Sequence, residues 1–259
     1  MPQRLYRSFQ ALLLLGLFLF LMSKVINNQL LWYINQRFVI LAQIGIVFLA
    51  ILAQSLFAEV KLSRKRDEEE EQDDEHHHRE HHHDQDHDHA PSSTNLWIML
   101  IPLLIGVLIP AKPLDSSAVS AKGITTSSAL VSSQSSSRLF ETESEQRNVL
   151  DWVKIFYFEK DLNPFIGQQA SVVGFVYREE SLPQGQFLVS RFILSCCAAD
   201  GYAVGMIVDS PKADSFEKDT WIKVSGPVDV VSFDGNPSPL IHAEAIEVVP
   251  QPEQPYLYP

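Results

Sequence analysis

The chain has 259 residues, 46% of them hydrophobic, and a formal net charge of −12 at pH 7. Residues 67–89 hold twelve Asp or Glu residues and one Arg, so this stretch carries −11 and all other residues together carry −1. The acidity therefore belongs to one segment, and the absence of a basic patch argues against a nucleic-acid partner. The only two cysteines, Cys196 and Cys197, are adjacent, which excludes a disulfide framework.

Two N-terminal segments are predicted to span a membrane. The first, about residues 8–26, contains ALLLLGLFLFLM between Arg7 and Lys24, and the second, about residues 38–58, has no charged residue. A helix needs about 20 apolar residues to cross a hydrocarbon core of roughly 30 Å. A cleaved signal peptide is the alternative for the first segment, but no small-x-small cleavage site precedes the polar stretch behind it. We therefore expect a retained helix.

A third apolar segment, residues 95–110, is short and contains Pro102. Proline is tolerated in membrane helices because neighbouring helices can satisfy the freed backbone groups. We predict a third span, so that residues 1–110 form a membrane domain, with a re-entrant or buried segment as the alternative. Lys and Arg are most frequent before the first span and after the second. The N-terminus and the following loop are therefore predicted to be cytoplasmic and the C-terminal domain extracytoplasmic.

The loop at residues 59–94 contains eight of the nine histidines. Imidazole nitrogens bind zinc and other divalent transition metals, and the interleaved carboxylates add affinity. Such a tract binds metal in several registers without a fixed geometry, which suits capture or sensing better than catalysis. A solvated low-complexity spacer is the alternative. The predicted ligands are His76, His77, His78, His81, His82, His83, His87 and His89.

The C-terminal half is predicted to be a soluble all-β domain with one preceding helix. Residues 111–143 are rich in Ser and are expected to form a mobile linker. A helix is predicted over Ser144–Phe158, and residues 251–259 are expected to form a tail. Short strands separated by turn residues favour an OB-like barrel over residues 144–250, with a small sandwich as the alternative. The predicted strands are 170–178, 186–197, 202–209, 220–232 and 243–249.

Cys196 and Cys197 end the second predicted strand. Adjacent strand residues point to opposite faces, so the two sulfurs would diverge unless the strand ends before them. Three interpretations stay open: one buried and one incidental cysteine, a strained redox pair, or metal ligands together with Asp200 and His242. Arg191, in an otherwise apolar strand, is predicted to pair with Asp200. No Ser-His-Asp order, phosphate loop or His-Glu-x-x-His motif is present, so we predict no catalytic or cofactor-binding residue and no enzyme.

Four stretches of the sequence resemble a known family: IPLLIGVLIPAKPL, RFILSCCAADGYAVGMIV, DTWIKVSGPVDVV and the closing PYLYP. The chain resembles the YcgQ-like family of bacterial permease subunits over nearly its whole length, in a form that looks cyanobacterial. The resemblance implies a membrane protein that acts beside a multi-span permease. It assigns neither the transported species nor catalytic residues, and it carries over Cys196, Cys197 and Asp200 only as motif positions.

The sequence thus predicts a membrane-anchored accessory subunit of a permease, linked to the handling of a divalent metal ion such as zinc. Its expected partners are the lipid bilayer and a multi-span permease subunit in the same membrane. Two alternatives remain. One is a membrane-tethered redox or thiol protein that uses the Cys196–Cys197 pair, and the other is a non-catalytic membrane scaffold.

Overall fold

The computed structural model of the chain describes residues 3–73, 93–125 and 142–259. It divides into two compact units, which we call the helical unit and the β unit. The helical unit comprises Met1–Leu30 and Arg37–Ala111, and the β unit comprises Leu31–Gln36 and Lys112–Pro259. The short segment between the first two helices therefore folds with the C-terminal half of the chain.

The helical unit contains α1 (Gln3–Ile26), α2 (Val39–Asp73) and α3 (Ser93–Leu108). The first two are long and apolar enough to cross a membrane, over Leu5–Ile26 and Gln36–Arg66. Only 11% of each apolar window is buried within the structure, as expected for surfaces that face lipid rather than a soluble core. At about 1.5 Å per residue, the 16 residues of α3 extend roughly 24 Å. This length is short for a typical bilayer.

Within the helical unit, α1 packs against both α2 and α3. Two glycines allow α1 and α3 to approach closely. A Cβ at Gly106 would lie 2.7 Å from Cζ of Phe20, and one at Gly16 would lie 3.3 Å from Cδ2 of Leu103. Small residues at such contacts are how membrane helices gain van der Waals packing without a hydrophobic driving force.

The β unit is built on a closed ring of five strands. In ring order, β2–β3 and β3–β4 pair antiparallel, β4–β6 pair parallel, and β6–β5 and β5–β2 pair antiparallel. Closure satisfies the backbone hydrogen bonds that an open sheet would expose at its edges. The ring strands are β2 (Gln169–Tyr177), β3 (Gln186–Ile193), β4 (Tyr202–Asp209), β5 (Trp221–Phe233) and β6 (Asn236–His242).

Three short strands extend this ring at its margins: β1 (Ile124–Thr125) along β4, β7 (Ala245–Val248) along β5 and β8 (Tyr256–Leu257) along β3. Between α3 and β1 lies the short helix α4 (Ser116–Lys122). Residues 112–125, predicted within a mobile linker, are thus part of the folded β unit, and Val119 of α4 is fully buried. The predicted tail contains β8, whose Tyr256 is buried. The rest of the predicted linker, residues 126–141, lies outside the described residues.

The core of the β unit is closed by α5 (Val149–Phe158). Its buried face places Trp152 and Phe156 against apolar side chains from β2 to β6. The helix begins at Val149, later than predicted, because Asn148 and Asp151 form a capping box that satisfies the first backbone amides. The structure therefore corrects the predicted start at Ser144, where a short 3-10 turn lies instead.

Two strand predictions also differ from the structure. The second strand ends at Ile193 and does not continue to Cys197. The sequence predicts no strand at β6, where Pro237 and Pro239 lack the amide that a strand donates. In the structure, β6 pairs with β5 through a tight turn at Asp234 and Gly235, both of which have positive φ.

Candidate thiol and metal site

The two cysteines lie in the loop between β3 and β4, at residues 194–201, which we call the Cys loop. Because β3 ends at Ile193, the alternation of side chains along a strand no longer applies to Cys196 and Cys197. Their sulfurs lie 3.6 Å apart. Cys196 is exposed and Cys197 is half-buried. The interpretation in which one cysteine is buried in the core is therefore wrong.

Asp200 closes the Cys loop from within. Its carboxylate accepts hydrogen bonds from the backbone amides of Cys196 at 2.7 Å, Ser195 at 3.2 Å and Cys197 at 3.4 Å. Partial burial acts to raise the pKa of Asp200. The hydrogen bonds from the Cys196 thiol and from the three amides outweigh burial and leave that pKa below its usual value. The carboxylate is thus ionised and fixed beside both sulfurs.

The segment between α1 and α2 braces the Cys loop from one side. Asn35 donates from its side-chain amide to the carbonyls of Leu194 at 3.2 Å and Ser195 at 2.9 Å, and from its backbone amide to the carbonyl of Cys196 at 3.0 Å. The carbonyl of Tyr33 in turn accepts from the amide of Ala198 at 2.8 Å. Asn35 is only 2% exposed, so these bonds are shielded from competing water.

The end of α4 braces the same loop from another side. The ammonium group of Lys122 donates to the carbonyls of Ala199 and Gly201 at 2.9 Å and to that of Ala198 at 3.2 Å. With Asp200, Asn35 and Lys122 in place, every amide from Leu194 to Ala198 and every carbonyl from Leu194 to Ala199 has a partner. An exposed loop is seldom fixed this fully, since ordering each residue costs about 1–2 kcal/mol. The arrangement holds the two sulfurs in one geometry.

The predicted ion pair between Arg191 and Asp200 is wrong. Arg191 is only 8% exposed, and its guanidinium stacks on the ring of Trp221, 5.1 Å from the centroid. Its charge is satisfied by carbonyl oxygens, so it fastens the C-terminal segment to the ring instead of closing the Cys loop. The three acceptors are Val173 at 3.3 Å, Gln254 at 2.9 Å and Pro255 at 3.0 Å.

The two thiols have different electrostatic environments. Hydrogen bonding to the Asp200 carboxylate, with a smaller effect from Cys197, raises the pKa of Cys196 to about 11. The amide of Ala199, the thiol of Cys196 and the amide of Asp200 act on the sulfur of Cys197 and lower its pKa below the ordinary value of 9.0. Cys197 therefore carries the thiolate first, and Cys196 serves as its hydrogen-bond donor.

This difference predicts unequal alkylation by iodoacetamide. At pH 7 to 8, a Cys196→Ser chain that retains Cys197 is expected to react about ten times faster than a Cys197→Ser chain that retains Cys196. Cys197 has the lowered pKa and Cys196 the raised one, so Cys197 has the larger thiolate fraction at this pH, and the lower nucleophilicity of the more acidic thiolate offsets only about half of that advantage on a logarithmic scale. Stopped-time labelling read by mass spectrometry measures the ratio. Equal rates, or faster reaction of Cys196, would contradict the assigned environments.

The structure does not bring all predicted ligands together. Among the side chains described, Cys196, Cys197 and Asp200 form one group whose ligand atoms lie within 4.8 Å of one another. His242 is not part of this group, because it ends β6 between Asp209, at 3.6 Å, and Asp229, at 3.3 Å. The eight loop histidines lie outside the described residues. Asn35 and Lys122, which hold the Cys loop, were missed because they are 159 and 76 or more residues away from their partners.

Comparison with known proteins finds similar sequences for both halves of the chain. Residues 9–125 match the DUF1980 N-terminal domain and residues 130–259 match the DUF1980 C-terminal domain. The UPF0703 protein YcgQ of Bacillus subtilis strain 168 is 28% identical over 284 aligned positions, which cover 96% of this chain and 99% of that protein. A Streptococcus mutans protein named as a subunit of a two-component membrane permease complex is 28% identical over 199 positions, covering 62% of this chain and 72% of that protein.

Among solved structures, a small single-stranded DNA-binding protein from Streptomyces coelicolor aligns with 32% of this chain and 93% of its own length. The sequence identity is 15% and the TM-score is 0.22. A likeness at this level carries no argument about ligand or function. The Cys loop and its braces are therefore interpreted from their own geometry.

Proposed function

Because the chain belongs to the DUF1980 family and resembles YcgQ over almost its whole length, we propose that it is a membrane-anchored accessory subunit of a permease complex. The observation that carries this proposal is the relative named as a permease complex subunit, together with two apolar helices of membrane-spanning length in this chain. No catalytic role is assigned. The C-terminal unit contributes a fixed surface loop, which suits binding or presentation rather than conduction.

The proposal includes three membrane spans. It is supported by residues 31–36, which join α1 to α2 and yet belong to the β unit. If α1 and α2 both cross the bilayer, the β unit lies on the side where α1 ends and α2 begins. The chain leaves that side through α2 and has to return before Lys112. Between α2 and Lys112, the apolar helix in the described part of the chain is α3. A bilayer accommodates a helix of this length by thinning locally.

The orientation follows from the basic residues near the spans. Arg7 precedes the uncharged stretch of the first span, and Lys61, Arg64, Lys65 and Arg66 follow the uncharged stretch of the second. Lys and Arg are retained on the cytoplasmic side of bacterial membranes. We therefore assign the N-terminus and the His-rich loop to the cytoplasm and the β unit to the extracytoplasmic side.

Two amide side chains on α2 favour a helical partner in the membrane. Gln43 and Gln54 are exposed within the apolar stretch, and their separation of 11 residues, about three turns, puts both on one line of the helix. An amide without a hydrogen-bond partner is costly in hydrocarbon, where no water can replace the missing bond. Glutamine side chains commonly hydrogen-bond across membrane helices. This line of α2 is therefore the proposed contact for a helix of the permease subunit.

Replacing both residues, Gln43→Leu with Gln54→Leu, is expected to weaken the complex about tenfold. Each interhelical hydrogen bond in a membrane is worth roughly 0.6 to 1.7 kcal/mol. The measurement is the amount of permease subunit that co-purifies with the tagged chain from native membranes. The matched control is Ile44→Leu with Ile51→Leu, two exposed apolar positions of the same helix. Equal recovery from both double variants would contradict this contact.

The metal link of the proposal is supported by composition. Eight histidines and the neighbouring carboxylates between residues 75 and 90 supply the ligands that zinc and similar divalent ions prefer. A cytoplasmic tract of this kind suits collection or sensing of the ion beside a transport path. It gives the subunit a role in metal handling that the permease relatives' names do not mention.

The ring of β2, β3, β4, β6 and β5 supports the OB-like barrel predicted from the sequence, since that fold is a five-stranded Greek-key barrel. We retain it as a proposal for the β unit. Nucleic-acid binding is not part of this proposal. Such barrels bind single strands through a positively charged groove, and the sequence has no basic patch to form one.

A thiol-exchange protein is the second candidate, favoured by the acidic Cys197 thiol 3.6 Å from Cys196. Neighbouring Cα atoms lie about 3.8 Å apart across a trans peptide, whereas disulfides usually need about 4.4 Å or more. An adjacent pair is therefore a poor disulfide former. Transport that is unaffected by loss of both cysteines, together with a reversible change of thiol content on oxidation, would favour this candidate over a metal role.

A further inference from the structure

We propose that Cys196, Cys197 and Asp200 bind a single soft or borderline cation of the zinc class, through two thiolates and one carboxylate. The proposed site uses none of the eight histidines of residues 76–89, and its backbone is fixed by hydrogen bonds. Only the role of the site, to present or accept an ion on the extracytoplasmic side, rests on the proposed function. Binding itself can be tested without any permease.

The distances fit a shared metal ion. Two thiolates that bind zinc at about 2.3 Å with a tetrahedral angle lie roughly 3.8 Å apart. The sulfurs of Cys196 and Cys197 are 3.6 Å apart before any ion is bound, and the Asp200 carboxylate is within 4.8 Å of both. Chelation therefore needs only a small adjustment of the side chains.

The scaffold around the ligands is rigid enough to define a site. Asn35 and Lys122 fix the carbonyls of the Cys loop, and Asp200 fixes its amides. Ligands that are held in place before binding lose little conformational entropy when the ion arrives. A surface pair of cysteines without such braces would have no comparable advantage.

The hydrogen bonds around the sulfurs also suit a metal thiolate. The thiol proton of Cys196 interacts with the Asp200 carboxylate and with the sulfur of Cys197. The ion would join these two groups and the Cys196 sulfur itself. A cation replaces this proton, and the thiol protons pass to solvent with no change of oxidation state. The amides of Ala199 and Asp200 favour the anionic form of the Cys197 sulfur, which is the form that would bind the ion. Affinity is therefore expected to rise with pH.

The exposure of the ligands indicates transfer rather than structural binding. Structural zinc sites have four protein ligands and are closed, whereas sites with three ligands keep a position open. Cys196 and Asp200 are exposed, and a tetrahedral ion held by these three ligands would keep its fourth position open. The β unit buries its own apolar core around Trp152. The open position allows an incoming ligand from a donor or acceptor to reach the ion.

The test is a Cd²⁺ titration of the full chain in mild detergent, with the eight loop histidines replaced by Asn to remove competing ligands. Thiolate-to-metal charge transfer gives an ultraviolet absorption band that imidazole and carboxylate do not produce. We expect the band to saturate at one Cd²⁺ per chain, to disappear when Zn²⁺ competes, and to grow with pH. Cys197→Ser and Cys196→Ser are each expected to lower the affinity at least a hundredfold. Ser195→Ala, which keeps both sulfurs, is the control.

Three results would overturn the inference. They are no band at micromolar Cd²⁺, saturation at half an equivalent because two chains share the ion, or an unchanged band in Cys197→Ser. Tryptophan fluorescence of each variant shows whether it is folded. A separate measurement tests the proposed function: whether the permease subunit co-purifies with the Cys196→Ser, Cys197→Ser double variant. A permease that co-purifies while wild-type chain gives no band would reject the metal site and leave the subunit role intact.

Discussion

Arg191→Ala is expected to destabilise the β unit by about 3 kcal/mol. The substitution removes a guanidinium that is buried against Trp221 and leaves three carbonyl oxygens without their donor. An unsatisfied buried polar group costs roughly 1–3 kcal/mol, and the lost packing adds to this. The C-terminal segment at Gln254 and Pro255 would also lose its side-chain attachment to β3, in addition to the backbone pairing of β8. Unfolding in detergent, followed by tryptophan fluorescence, measures the change, which corresponds to a melting temperature lower by on the order of 10 °C.

Lys223→Ala is the matched control for this prediction. Lys223 is also a basic residue on a ring strand, but it is exposed on β5. Substitutions at such positions usually change stability by no more than about 0.5 kcal/mol. Equal effects of the two substitutions would show that Arg191 does not fasten the C-terminal segment.

Membrane-impermeant maleimide is expected to label wild-type chain in intact cells. The only thiols are Cys196 and Cys197, and the proposed third span puts both outside. In a chain without these cysteines, Leu62→Cys introduces a thiol just after the uncharged stretch 38–58 of the second span, at a position that is 61% exposed. This thiol should be labelled only after the membrane is permeabilised. The contrast should be nearly all-or-none, because the reagent either crosses the bilayer or does not.

The labelling pattern separates the possible topologies. Labelling of both positions from outside, or of neither, would mean that α3 does not return the chain across the membrane. Labelling of Leu62→Cys alone from outside would reverse the orientation derived from the basic residues. The first result would require a different account of how residues 31–36 join the β unit, whereas the second would leave that account unchanged.

Local patterns in the sequence were sufficient for the first two apolar helices and most of the strands. Uncharged apolar runs predict membrane helices because hydrocarbon tolerates few other segments. Strand β6 was missed for an equally local reason, since Pro237 and Pro239 weaken any strand prediction. Its pairing with β5 is possible because the tight turn at Gly235 returns the chain directly along its neighbour.

The construction of the Cys loop could not be predicted locally. The residues of its motif are contiguous, but Asn35 and Lys122 come from an interhelical segment and a Ser-rich region without any sequence signal for this role. Arg191 shows a related limit. A buried charge needs compensation, and the sequence suggested Asp200 as a nearby partner. In the structure, carbonyl groups from residues 173, 254 and 255 supply that compensation, and Asp200 is used by the amides of the Cys loop.

The central claim, an accessory subunit with a permease partner, is tested most directly by purifying the wild-type chain from its native membrane in mild detergent. We predict that one multi-span membrane protein co-elutes with it in a constant ratio through successive columns. Elution of the folded, thiol-reactive chain without any multi-span protein would contradict the account.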